Sequence, residues 1–128
     1  KSFIEQARKW RKMLGGGMRQ AGVLAAAGII ALEENVSHLA EDHEKAIQLA
    51  NGLKTIDEIE VDDMTRQTNM CFIRIAKEDA ETLPAFMKEN NILSYSGTHI
   101  RLALHLDVDP EDIGYVVKVI KQYYQEKK

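Results

Sequence analysis

The octapeptide Ile100-Arg101-Leu102-Ala103-Leu104-His105-Leu106-Asp107 divides by period two. Leu102, Leu104 and Leu106 take one face, and Arg101, Ala103, His105 and Asp107 take the other, the alternation of a strand with one buried side. An arginine in so leucine-rich a strand needs a carboxylate or phosphate partner, because its guanidinium fork is expensive to bury unpaired. An internal Asp or Glu and a substrate anion meet that need equally well. His105 and Asp107 read as a hydrogen-bonded structural pair ahead of a base and its orienter.

Working outward, residues 92–96 predict a partner strand joined to residues 100–106 through Gly97 and Thr98. Residues 59–63 and 70–76 predict two more strands, the second with Met70, Phe72 and Arg74 on one face and Cys71, Ile73 and Ile75 on the other. Between the pairs, a helix over 79–90 turns Leu83, Phe86 and Met87 inward. Downstream, Asp109 caps the last helix, Pro110 takes its first position, and Glu111 and Asp112 oppose its dipole. Ile113, Val116, Val117, Ile120 and Tyr124 form its buried stripe.

The N-terminal part is helical. Phe3, Ile4, Ala7, Trp10 and Leu14 make a stripe at helical spacing, and Gly15, Gly16 and Gly17 break it. A second helix over 18–35 has no polar face between Ala21 and Leu32, which predicts burial on all sides. Asn35 and Ser37 offer caps for a third helix ending near Leu53, with Leu39, His43, Ala46, Ile47, Ala50 and Leu53 inward. The fold class is therefore α+β: N-terminal helices, then a β-β-α-β-β-α small domain with a mainly antiparallel sheet backed by helices. Residues 1–35 read as interdomain or interface helices with a glycine-rich joint, and 36–128 as the small domain. With no initiator Met and a helical stripe beginning almost at residue 1, the chain reads as part of something longer.

Composition narrows the function classes. The 128 residues carry 17 Lys+Arg against 20 Asp+Glu, a net charge of −3, with 45% hydrophobic and 29% charged residues. That is the balance of a globular chain able to bury a core. Mild acidity argues against nucleic acid as a partner. A single cysteine cannot form an intrachain disulfide, which points to a reducing, cytoplasmic setting. The uncharged run 20–32 is shorter than the roughly 18 residues of a membrane span.

Arg11-Lys12-Met13-Leu14-Gly15-Gly16-Gly17-Met18-Arg19-Gln20 sets cations around glycines beside a helix start, where free amides and the dipole favour an anion such as phosphate. The glycines follow a helix and no Lys-Ser/Thr follows them, so the block is neither a dinucleotide fingerprint nor a P-loop. A flexible joint with solvated cations is the competing reading. His38 and His43 are five apart and point away from each other, so a solvated face is favoured over a metal site. Cys71 reads as a buried strand residue, and Trp10 as packing.

The same block, followed by the alanine-rich helix, resembles the low-specificity L-threonine aldolases, fold-type-I pyridoxal-phosphate lyases related to the aspartate aminotransferase superfamily. Asp42-His43-Glu44, Gln67-Thr68-Asn69-Met70, His99-Ile100-Arg101-Leu102 and His105-Leu106-Asp107 keep that family's order and approximate spacing. The resemblance implies a lyase cleaving threonine or allo-threonine to glycine and acetaldehyde, with pyridoxal 5'-phosphate held as a Schiff base on a lysine. It matches Arg101 to the arginine that binds the substrate α-carboxylate, and Lys12 and Arg19 to cations near the cofactor phosphate of a neighbouring subunit. Nothing in this chain matches the Schiff-base lysine, so no catalytic residue is assigned. The resemblance thus implies a C-terminal portion, inactive alone, that works with an N-terminal large domain in a homo-oligomer, a dimer of dimers. Another fold-type-I enzyme (a β-eliminating lyase or aminotransferase) and a standalone module binding a small carboxylate are the alternatives.

Overall fold

The computed structural model describes residues 1–63 and 68–127, so Gln67 of the Gln67-Thr68-Asn69-Met70 motif and the terminal Lys128 lie outside the described residues. The chain forms two compact units, Lys1–Val36 and Ser37–Lys128.

The second unit is built on an antiparallel sheet in the order β1-β2-β3, with β1 at Glu60–Val61, β2 at Met70–Arg74 and β3 at His99–Ala103. Cys71 faces Leu102, Phe72 faces Arg101 and Ile73 faces Ile100. Period two then sends Cys71, Ile73, Ile100 and Leu102 into the core and leaves Arg74, His99, Arg101 and Ala103 exposed. Helix α3 (Leu39–Leu53), α4 (Thr82–Glu89) and α5 (Pro110–Glu126) close the core with Leu49, Leu53, Leu83, Met87, Ile113 and Ile120. The architecture is α+β, as the alternation predicts.

Helix α5 begins as expected. Asp109 Oδ1 accepts from the amides of Glu111 and Asp112 at 2.8 and 2.9 Å. Asp112 Oδ2 answers by accepting from the Asp109 amide at 3.0 Å, completing a reciprocal cap with Pro110 in the first turn.

Three expectations are corrected. Residues 92–96 are not a strand among the described residues, so the order there is β-β-α-β-α rather than β-β-α-β-β-α. The segment is tied at its ends elsewhere: the Ile92 amide donates to Met87 O and the Gly97 amide to Ala80 O, each at 2.9 Å. Helix α3 turns Asp42, Ala46, Leu49, Ala50 and Leu53 inward, while Leu39, His43 and Ile47 are exposed. Its stripe is rotated because Asp42 is buried in an ion pair with Lys45 at 3.2 Å, a charge hidden from any apolar pattern. Neither Asn35 nor Ser37 caps α3: His38 holds that position without a side-chain bond, the 3-10 turn Val36–His38 preceding it.

The first unit contains α1 (Ser2–Met13), α2 (Gly22–Ile30) and a π turn at Ala31–Asn35. The glycine break is observed: α1 stops at Met13 and Gly15 takes φ +89°. Burial of α2 on all sides is not observed. None of its residues is buried and Val23 is 77% exposed, since two short helices cannot surround one of their own members. By length and composition alone, the helical run Gly22–Leu53 reaches the minimum for a membrane span, longer than the 20–32 stretch suggests.

Asp79, 2% exposed, anchors the far end of α5. Tyr123 Oη and Lys127 Nζ donate to its Oδ1 at 2.7 and 2.5 Å, and Thr82 Oγ1 lies 2.6 Å from the Tyr123 hydroxyl. Burial alone pushes the Asp79 carboxyl up, but the Lys127 ammonium and Tyr123 hydroxyl outweigh it and hold the carboxyl below its ordinary value. A depressed folded value makes this stabilisation present above about pH 4 and lost as pH falls through the folded value. Urea midpoints measured from pH 6 downward are expected to fall over that acid range in the natural chain. Asp79→Asn should start lower and respond less to acid; an identical acid response would contradict the assignment.

Candidate functional site

Arg101 sits mid-way along β3, and the ladder determines what surrounds it. The Leu104 amide donates to Asn69 O at 2.8 Å and Thr98 O accepts from the Ile75 amide at 3.0 Å, so even-numbered residues turn their backbone groups toward β2. His99, Arg101 and Ala103 therefore turn theirs to the outer edge. The side chain of Arg101 is exposed, and among the described residues it makes no hydrogen bond or ion pair. Of the two partners expected for Arg101, an internal carboxylate is not found among the described residues: its strand turns it away from the core, which keeps the fork in water and leaves its donors available. Arg101 instead lines a cavity of about 630 Å³, together with Leu93, Tyr95, His105 and Tyr115 above an apolar floor that includes Leu49. Tyr115 Oη is held there by donating to Asn90 O at 3.2 Å.

His105 and Asp107 form a local structural pair. The Asp107 amide donates to His105 Nδ1 at 3.3 Å, so that nitrogen presents a lone pair, and Asp107 Oδ2 lies 3.6 Å away. A base oriented by a carboxylate would need an Nδ1–H directed at that oxygen, which this arrangement does not supply. Lys45 braces the same turn by donating to His105 O at 3.4 Å, a tie between α3 and β3's end that local sequence gives no signal for. Tyr95 and Tyr115 carried no functional signal in the sequence; Tyr95 lies between the turn-forming Asn90-Asn91 and Gly97, and Tyr115 within α5.

His38 lies 3.5 Å from Glu41 on an exposed face, and His43 is exposed. Among the described residues, no three His, Cys, Asp or Glu side chains converge as metal ligands. Cys71 is buried.

Lys12 and Arg19 belong to the first unit. Lys12 Nζ curls back to Gly17 O at 3.5 Å, and a Cβ at Gly17 would lie 2.3 Å from Lys12 Cδ, so a side chain there would push the Lys12 stem aside. Arg19 is exposed with no partner among the described residues, beside Gln20 at φ +50°. Two cations without carboxylate partners around an open glycine loop form a donor set that suits phosphate.

Residues 1–76 match the model of the beta-eliminating lyase family. A low-specificity L-threonine aldolase from Escherichia coli is 46% identical over 116 residues, covering 91% of this chain and 34% of that protein. One from Arabidopsis thaliana is 41% identical over 126 residues, covering 94% and 35%. The chain spans about a third of the length of the curated relatives it matches. Among solved structures, the aminotransferase TlmJ from Streptoalloteichus hindustanus resembles it in fold, with a TM-score of 0.59 at 12% identity over 73% of this chain and 34% of that one. With the family match running through both helices of the first unit and on to β2, the chain belongs to the beta-eliminating lyase family.

Proposed function

We propose that this chain is the C-terminal portion of a pyridoxal-phosphate-dependent threonine aldolase, a lyase cleaving L-threonine or L-allo-threonine to glycine and acetaldehyde. The observation that carries this reading is Arg101: a guanidinium without a protein partner among the described residues, at a cavity of about 630 Å³. A small α-carboxylate is the ligand such a fork recognises, through two parallel N–H···O bonds. Likeness to two threonine aldolases over more than nine-tenths of the chain supports the reaction class.

Arg101 binds and orients the substrate carboxylate. Lys12 and Arg19 would hold the cofactor phosphate, with the fold-back over Gly17 keeping the Lys12 ammonium close to the open backbone. When bound, the cofactor supplies the electron sink that takes up the pair released as the Cα–Cβ bond breaks. No lysine here matches the one that holds the cofactor covalently in the family. The chain alone is therefore inactive, and completes its site with a large domain and further subunits. The exposed apolar faces of α1 and α2 suit residues 1–35 to that contact.

In a full-length protein carrying this chain, Arg101→Ala should raise KM for threonine, costing about 2–5 kcal/mol of binding. Because Arg101 is exposed and unpaired, the same change should move the unfolding free energy by only about 0.5 kcal/mol. An unchanged kcat/KM, or a large loss of stability, would contradict the role. Incubated with pyridoxal phosphate and reduced with borohydride, the 128-residue chain should carry no site-specific pyridoxyl group by mass spectrometry. Stoichiometric labelling of Lys12 would overturn the assignment.

A further inference from the structure

Between α4 and β3 the chain leaves a span with both its backbone and its apolar side chains unused. Leu93 is 82% and Tyr95 74% exposed. The span is tethered at the Ile92 and Gly97 amides, and among the described residues no backbone bond joins the amides from Leu93 to Ser96 to another element. Left-handed backbone brackets it, at Asn91 with φ +61° and at Gly97 with φ +129°. Opposite lies the outer edge of β3, where the backbone groups of Arg101 and Ala103 are also without partners among the described residues. The cavity of about 630 Å³ separates the two, lined by Leu93, Ser94 and Tyr95 on one side and by Arg101 to Leu104 on the other.

We propose that residues 93–96 are a strap that closes on β3 as a fourth strand and brings Ser94 to the carboxylate held by Arg101. Gly97 and Thr98 form a two-residue connection, which sets Ser96 opposite His99 and Ser94 opposite Arg101, the pairing stopping short of Ile92, which keeps its amide on Met87 O and its side chain against the core. In that register Leu93 and Tyr95 turn to the face of Leu102 and Ile100, filling the apolar-floored cavity. Ser94 comes to the face of Arg101, within reach of the same ligand. In the open arrangement the Ser94 hydroxyl has only Met87 Sδ at 3.8 Å, a weak acceptor it gives up readily. A carboxylate bonded to Arg101 has lone pairs to spare, so it is held by one residue in the open form and by two in the closed form. That difference couples closure to binding. The coupling rests on the carboxylate reading of Arg101 above.

The experiment is an NMR titration, with glycine, of a full-length protein carrying this chain and isotopically labelled over these 128 residues. Glycine should shift the Arg101 Nε–H resonance and slow exchange of the Arg101 amide about tenfold. It should also bring up Hα–Hα contacts between Leu93 and Leu102 and between Tyr95 and Ile100, the close pairs of this register. Ser94→Ala should weaken glycine binding and diminish those contacts; equal affinity and equal closure would remove Ser94 from the role. A shift at Arg101 Nε with no slowed exchange and no cross-strand contacts would overturn the strap and leave the carboxylate reading standing. No shift at Arg101 Nε would overturn both.

Discussion

The pairing of Met70–Arg74 with His99–Ala103 is the constraint on which the rest of the second unit depends. Moving β3 by one residue would exchange its faces. Ile100 and Leu102 would go to water, and Arg101 would enter the apolar cluster of Leu49, Leu53 and Met87. Both halves of that exchange are unfavourable, so one register both builds the core and presents the guanidinium. Core and candidate site are two faces of a single strand. The Asn69 side chain reinforces the choice by donating to Leu104 O at 2.6 Å just beyond the ladder.

The helices hold this arrangement from behind and at its ends. The reciprocal cap of Asp109 and Asp112 starts α5 close to the cavity, and Tyr123 and Lys127 pin its other end to Asp79 in the 3-10 turn Lys77–Asp79 that precedes α4. A buried carboxylate with two donors converts an expensive group into a specific clasp. The first unit follows a different logic. Its apolar helices bury nothing within the unit, and its cations gather around three glycines.

Much of this was legible in the sequence because the signals were local. Period two separated Leu102 and Leu104 from Arg101 and Ala103, and Asp109-Pro110-Glu111-Asp112 announced a helix start. Gly15 marked the end of α1. The failures trace to polar ties that a pattern of apolar residues does not register. Ile92-Leu93-Ser94-Tyr95-Ser96 alternates as a strand does, yet bonds from Ile92 and Gly97 to Met87 and Ala80 keep it off the ladder. The phase of α3 was misread because Asp42 points inward with Lys45 as its partner, and a pattern of apolar residues is blind to a paired charge. Arg101 was singled out as needing an anion because its strand is rich in leucine; period two puts it on the exposed face, while its place on an edge strand follows from strand order, which no local pattern gives.

The central claim is that Arg101 recognises the carboxylate of an amino-acid substrate. The most direct measurement is a double cycle in a full-length protein carrying this chain: binding of threonine and of its carboxylate-free analogue, 1-aminopropan-2-ol, to the natural protein and to Arg101→Ala. The account predicts that the natural protein prefers threonine and that the substitution abolishes most of that preference while leaving the analogue's affinity unchanged. Equal losses for both ligands would contradict it.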